Sequence, residues 1–177
     1  MYGDVEGRPM IRSFGENEPR IAATAFISEA AYAVGDVRIG EGSSVWPGAV
    51  IRADFAPIEI GSNTQIEDNC VLHAGMPLVI GDNVHVGHGA VVHCSRIGNN
   101  VLIGMNAVVL DGVEIGDYCV IGAGCVVTQG MKIPDRSFVV GVPGKIKGEV
   151  SDSHISYIVT GVDEYVKMME KYKEACL

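Results

Sequence analysis

From Ile21 onward an aliphatic residue returns every six positions. The run reads Ile21, Ile27, Ala33, Ile39, Val45, Ile51, then Ile60, Ile66, Leu72, then Ile80, Val86, Val92. It closes with Ile97, Ile103, Val109, Ile115, Ile121, Val127, Ile133 and Val139. Of these 20 positions 19 are Ile, Leu or Val, and eight are followed directly by Gly. A helix needs a period of about 3.6 and tolerates no such density of Gly. Short strands broken by regular turns accommodate both. Stacked coils of such strands would bury their rung aliphatics in a common core and satisfy one another's backbone groups, and the rungs can be grouped in threes. The step of six fails only at 51 to 60, 72 to 80 and 92 to 97, each time after the third rung of a coil. Length changes therefore fall at one corner, where repeat proteins place binding loops.

Over residues 21 to 144 this pattern resembles the hexapeptide-repeat proteins. The resemblance implies an all-β fold, a left-handed parallel β-helix, with the hand taken from the family because the usual crossover rule gives the opposite one. The expected organisation is an N-terminal arm over 1–20, the β-helix over 21–150 and a closing α-helix over 151–177. The arm lacks the ladder and is expected to wrap the prism or stay partly disordered. Ser151 to Ser153 offer helix caps, and Ile155, Ile158, Val159, Val162, Val166 and Met169 make an apolar stripe to pack along the prism.

Composition narrows the function classes. Thirteen basic against 22 acidic residues give a net charge of −9, which argues against a nucleic-acid or anionic-membrane partner. No apolar run approaches the ~20 residues of a membrane span. The start, MYGDVEGRPM, has neither a basic flank nor an apolar core, so no signal peptide is read there. Five Cys without a CxxC pair fit a reducing compartment better than a disulfide framework. The expected location is the cytoplasm. Cys70, Cys119 and Cys125 read as small core residues, and so does Cys94, although its place after His93 could instead bring it to a site at that histidine.

Third-hexad rungs are never followed by Gly; their followers are Val34, Arg52, His73, His93, Leu110 and Thr128. Arg52, His73 and His93 should therefore stack in one outward column, about 4.8 Å apart per step. That is close enough for the two His to share a cation bound at about 2.0–2.1 Å. His88 comes two places after a second-hexad rung, Val86, and so lies on another face. A site using all three needs His88 from a neighbouring copy, which suggests a symmetric trimer with metal in each cleft. Asp68 has the same offset after Ile66, so it stacks with His88 and could face Arg52 across the interface. His85, just before a rung, could line the cleft, although plain exposure is the expectation.

These residues carry a more specific likeness. Arg52-Ala-Asp54, Glu67-Asp68-Asn69-Cys70-Val71-Leu72-His73 and Val86-Gly87-His88-Gly89-Ala90-Val91-Val92-His93 resemble the gamma-class carbonic anhydrases, in their shorter bacterial and archaeal branch. Ile103-Gly104-Met105 and Gly141-Val142-Pro143-Gly144 follow in the same order. The resemblance implies a homotrimer that binds Zn2+ or Fe2+ through His73 and His93 of one subunit and His88 of the next. It implies an interface salt-bridge network of Arg52, Asp54 and Asp68, and a helix tyrosine, Tyr165, approaching the site. Glu67 stands where the family usually has Gln hydrogen-bonded to the metal-bound water. A carboxylate there can act as a base, or bind the metal and block it.

The implied activity is reversible hydration of CO2 to bicarbonate by a metal-bound hydroxide, formed because the metal lowers the pKa of its water from 15.7 to about 7. The family's proton-shuttling acidic loop has no match: the stretch here is Ala74-Gly75-Met76-Pro77, and Phe55 stands where an acid can occur. Turnover is therefore expected to be modest, or undetectable in the protein as purified. The alternatives are a hexapeptide-repeat acyltransferase, which needs one base His and no metal, and a non-catalytic metal-binding trimer.

Overall fold

The computed structural model describes residues 10–73 and 75–175. Strand registers reproduce the ladder on three faces. On the first, Ile21, Ile39, Ile60, Ile80, Ile97, Ile115 and Ile133 stand in line, all in parallel pairing. The second lines up Ile27, Val45, Ile66, Val86, Ile103, Ile121 and Val139. The third aligns Ala33, Ile51, Leu72, Val92, Val109 and Val127. The chain is a left-handed parallel β-helix of hexapeptide coils with one C-terminal α-helix.

Rungs from Ala33 onward are buried, and four places after most rungs a second small or branched residue, such as Ala49, Cys70, Ala90, Ala107 or Cys125, fills the prism axis. Cys94 and Cys119 are buried as well. The corner of variable length joins the third face to the first. There the strands Tyr32–Ile39 and Val50–Ile60 run through the bend and merge the two faces into one 12-stranded sheet, while the second face is an 8-stranded sheet of its own. Glycine after a rung has a packing cause: a Cβ on Gly40 would lie 2.6 Å from the backbone C and O of Gly61 in the next coil.

Part of the expected arm is ordered. Met10–Arg12 pairs in parallel with Tyr32, Ala33 and Val34, and Ile11 opposite Ala33 extends the third face by one strand; residues 1–9 lie outside the described residues. At the other end Lys145–Glu149 folds back antiparallel on Ser137–Val140 and covers the last coil. Ser151 then caps the helix Asp152–Glu174 in a capping box with His154.

The helix lies along the second face. Ile158 packs with Val120 and Val150 near its start, and Met169 packs with Phe26 and Trp46 near its end. Twenty-three residues give about 35 Å of helix, enough to cross the about 29 Å of six strand spacings. Lys173 Nζ donates to the Thr24 carbonyl at 2.7 Å and ties the helix to the first coils. The stripe differs from expectation at Val159, which is exposed, while Tyr165 and Tyr172 pack instead. Helical steps of three and four from Ile155 through Ile158, Val162, Tyr165 and Met169 reach Tyr172 and leave Val159 on the flank. No described helix is long and apolar enough to cross a membrane.

Candidate metal centre

The third-face register sets Arg52 opposite His73 and continues from Leu72–Val92 to His93. His73 Nδ1 lies 3.1 Å from His93 Nε2, with ring centroids 5.1 Å apart. Each ring places its other nitrogen on a carboxylate: His73 Nε2 is 3.1 Å from Asp54 Oδ1, and His93 Nδ1 is 2.8 Å from Asp111 Oδ1. An ionised carboxylate only accepts, so those outer nitrogens carry the protons. The inner nitrogens then turn two lone pairs toward each other, an arrangement that calls for a cation or a shared proton between them.

The donor set fits a divalent metal. Two tetrahedral bonds of 2.0–2.1 Å hold their nitrogens about 3.3 Å apart, close to the 3.1 Å found. Carboxylates behind ligating imidazoles also fix ring orientation and raise ligand basicity. Asp54 accepts as well from Arg52 at 2.5 Å. Desolvation pushes the Asp54 carboxyl up, but hydrogen bonds from Arg52, its own backbone and His73, with the Arg52 charge, outweigh it and hold it below the usual range. Phe55, 75% exposed within the strand Val50–Ile60, sets its ring edge-on to His73 at 5.7 Å.

His88 lies on the second face, as its offset predicts, with its side chain 47% exposed. Its Nδ1 is 3.0 Å from Asp68 Oδ2 and its Nε2 3.1 Å from Glu67 Oε2. Asp68 thus pairs with His88, and Arg52 with Asp54, inside one chain. Among the described residues no three His, Cys, Asp or Glu side chains of one chain gather as a ligand set.

Glu67 is buried; its Oε2 also accepts from the His88 backbone N–H at 3.1 Å. Tyr165 reaches it from the helix. Burial, then the Glu67 charge and hydrogen bond, push the Tyr165 phenol well above its ordinary value. His85 corrects the sequence reading, being 4% exposed: its Nε2 is 3.2 Å from the Ile158 carbonyl and its Nδ1 3.7 Å from Glu67. Gly161 makes room for it, since a Cβ there would lie 3.1 Å from the imidazole. Glu67, His85, His88, Gly104 and Tyr165 line one cleft of ≈ 600 Å³ between helix and second face.

Asp111 escaped the sequence reading, and His85, read as able to line the cleft, is there but buried rather than exposed. His85 shares its place before a rung with Phe26, Leu102, Val120 and Phe138, and those apolar neighbours were the sign of a covered face. Asp111 had no such sign, because it reaches His93 from a turn in the following coil.

Residues 94–129 match the family model described as "Bacterial transferase hexapeptide (six repeats)". The chain is 48% identical over 158 residues to a protein of Methanocaldococcus jannaschii named "Probable carbonic anhydrase", covering 86% of this chain and 99% of that one. It belongs to the gamma-class carbonic anhydrase-like family. A second relative, named "Carbonic anhydrase", from Geobacillus kaustophilus, is 42% identical over 166 residues, with 93% and 91% coverage. Among solved structures, a Bacillus cereus protein described as a candidate acetyltransferase superposes with a TM-score of 0.91 at 38% identity, over 95% of this chain and 99% of that one. The gamma-class fold is thus shared with proteins described as transferases, and the side chains of the site must separate the two chemistries.

Proposed function

We propose that the protein is a metal-dependent, gamma-type carbonic anhydrase, a cytoplasmic homotrimer interconverting CO2 and bicarbonate. The carrying observation is the His73–His93 pair, whose inner nitrogens face each other at 3.1 Å while carboxylates occupy the outer ones. His73 and His93 would hold Zn2+ or Fe2+ together with His88 of the partner subunit. When bound, such a cation supplies a water acidic enough to serve as a nucleophile near neutral pH.

This chain's own residues do the rest. His88 exchanges its contact with Glu67 for the shared site. Tyr165 holds the Glu67 carboxylate from the helix side, at the edge of the cleft. Arg52 and Asp54 orient His73 and, with Asp68 of the partner subunit, fix the seam between copies. Phe55 covers the outer edge of His73 and keeps water from that side. Gly75-Met76-Pro77 and Phe55 offer no acid to carry a proton away, so proton release limits turnover.

The Bacillus cereus neighbour favours a second reading, an acyltransferase. That chemistry needs one base His and no metal, so a second His whose inner lone pair faces the first at 3.1 Å counts against it. Metal analysis and a CO2 hydration assay on Zn2+- and Fe2+-loaded protein test the proposal. About one metal per chain with hydration activity supports it. Metal without hydration would leave a non-catalytic binding trimer, and the absence of both metal and hydration would overturn the proposal.

A further inference from the structure

Asp111 opens the turn between the strands Val108–Val109 and Glu114–Ile115. Its carbonyl accepts from the Gly130 N–H at 2.9 Å, so the turn is tied to the following coil. Its side chain is 60% exposed, and its one ion-pair partner among the described residues is His93, at 2.8 Å. Asp54 behind His73, by contrast, also serves Arg52. An exposed carboxylate held by a backbone tie and aimed at one imidazole nitrogen decides which nitrogen keeps the proton.

We propose that Asp111 is a positioning residue: it holds His93 as the Nδ1–H tautomer and turns the Nε2 lone pair toward His73 and a divalent cation between the two rings. The inference rests on the metal reading above. Without the carboxylate, the ring can rotate about Cβ–Cγ or take the Nε2–H tautomer, and either change removes the inner lone pair. Because Asp111 is exposed and outside the core, its replacement leaves the ladder untouched.

The test compares the whole wild-type protein with Asp111→Ala and Asp111→Asn. Two-bond 1H–15N correlation spectra of the metal-free protein, at about pH 8.5 and so above the ordinary histidine range, read the His93 tautomer directly. The wild type is expected as Nδ1–H. Asp111→Asn retains it, because the amide oxygen still accepts, and Asp111→Ala loses it. Titration with Co2+, followed by visible absorption, should give about 10–100-fold weaker binding in Asp111→Ala, with most of the affinity kept in Asp111→Asn. A wild-type His93 found as Nε2–H, an unchanged tautomer in Asp111→Ala, or equal Co2+ affinity would each overturn the inference. A wild type that takes up no Co2+ contradicts the proposed function and the metal half of this inference, while the tautomer spectra still decide the positioning.

Discussion

The Tyr165 phenol and the Glu67 carboxylate line the same cleft beneath the C-terminal helix, and burial together with the Glu67 charge keeps the phenol protonated well above its ordinary range. Phenolate absorbance should register this directly. Replacing Tyr165 by Phe should remove no signal around pH 10, where ordinary tyrosines ionise, and only a late, more alkaline component. Glu67→Gln should bring that component part of the way down, because the charge goes and the burial stays. A Tyr165→Phe difference spectrum centred on the ordinary value would contradict the arrangement.

Gly40 tests the stacking of coils. A Cβ there meets backbone atoms of Gly61 at 2.6 Å, and backbone cannot swing aside. Gly40→Ala should cost about 1–3 kcal/mol, read as a lower midpoint in denaturant. Gly75, in the corner loop with nothing within 4 Å of its would-be Cβ, is the control and should be silent. Equal midpoints for the two variants would contradict the packing.

Burial pushes the Cys70 and Cys94 thiols up to about 12 and raises those of Cys119 and Cys125. Thiolate is the reactive form, so none of the four should react with a disulfide reagent in the native protein near pH 8. Measured in Cys176→Ser, which removes the cysteine outside the described residues, labelling should stay near zero until denaturant is added. Fast labelling of folded protein would show the axis to be open.

Much of this was legible in the chain because a β-helix converts sequence offset into spatial position. The offset of one after a third-hexad rung put His73 beside His93, and an offset of two after a second-hexad rung put His88 with Asp68. What offsets cannot encode is how an element outside the ladder lies on it. The helix buried His85, which the prism alone would leave outside. Asp111 belongs to a turn, where side-chain direction depends on loop conformation rather than on a strand's alternation. Val159 failed for a related reason: helix periodicity names a stripe about 100° wide, and packing chooses its edge.

Arg52 and Asp68 carry the expectation about assembly. Both side chains keep about two-fifths of their surface free in one chain, and they stand on different faces. In a trimer they should meet. Arg52→Ala would then leave Asp68 without its partner at a buried seam, a loss of about 3–5 kcal/mol for each pair broken, and should shift sedimentation toward monomer on dilution. An unshifted trimer would remove Arg52 from the interface, and a wild type monomeric at micromolar concentration would refute the shared site.

The central claim is that each metal site takes two ligands from one chain and one from the next, and mixing two defective chains tests it most directly. A His88→Ala chain keeps the His73–His93 pair but offers no third ligand. A chain with His73→Ala and His93→Ala offers only His88. Neither should hold metal tightly alone. Co-refolded and isolated as verified mixed trimers, they should recover one tight site per trimer, whichever chain is in the majority, because only one junction joins an intact pair to an intact His88. Metal content that stays at zero in those mixed trimers would contradict the account.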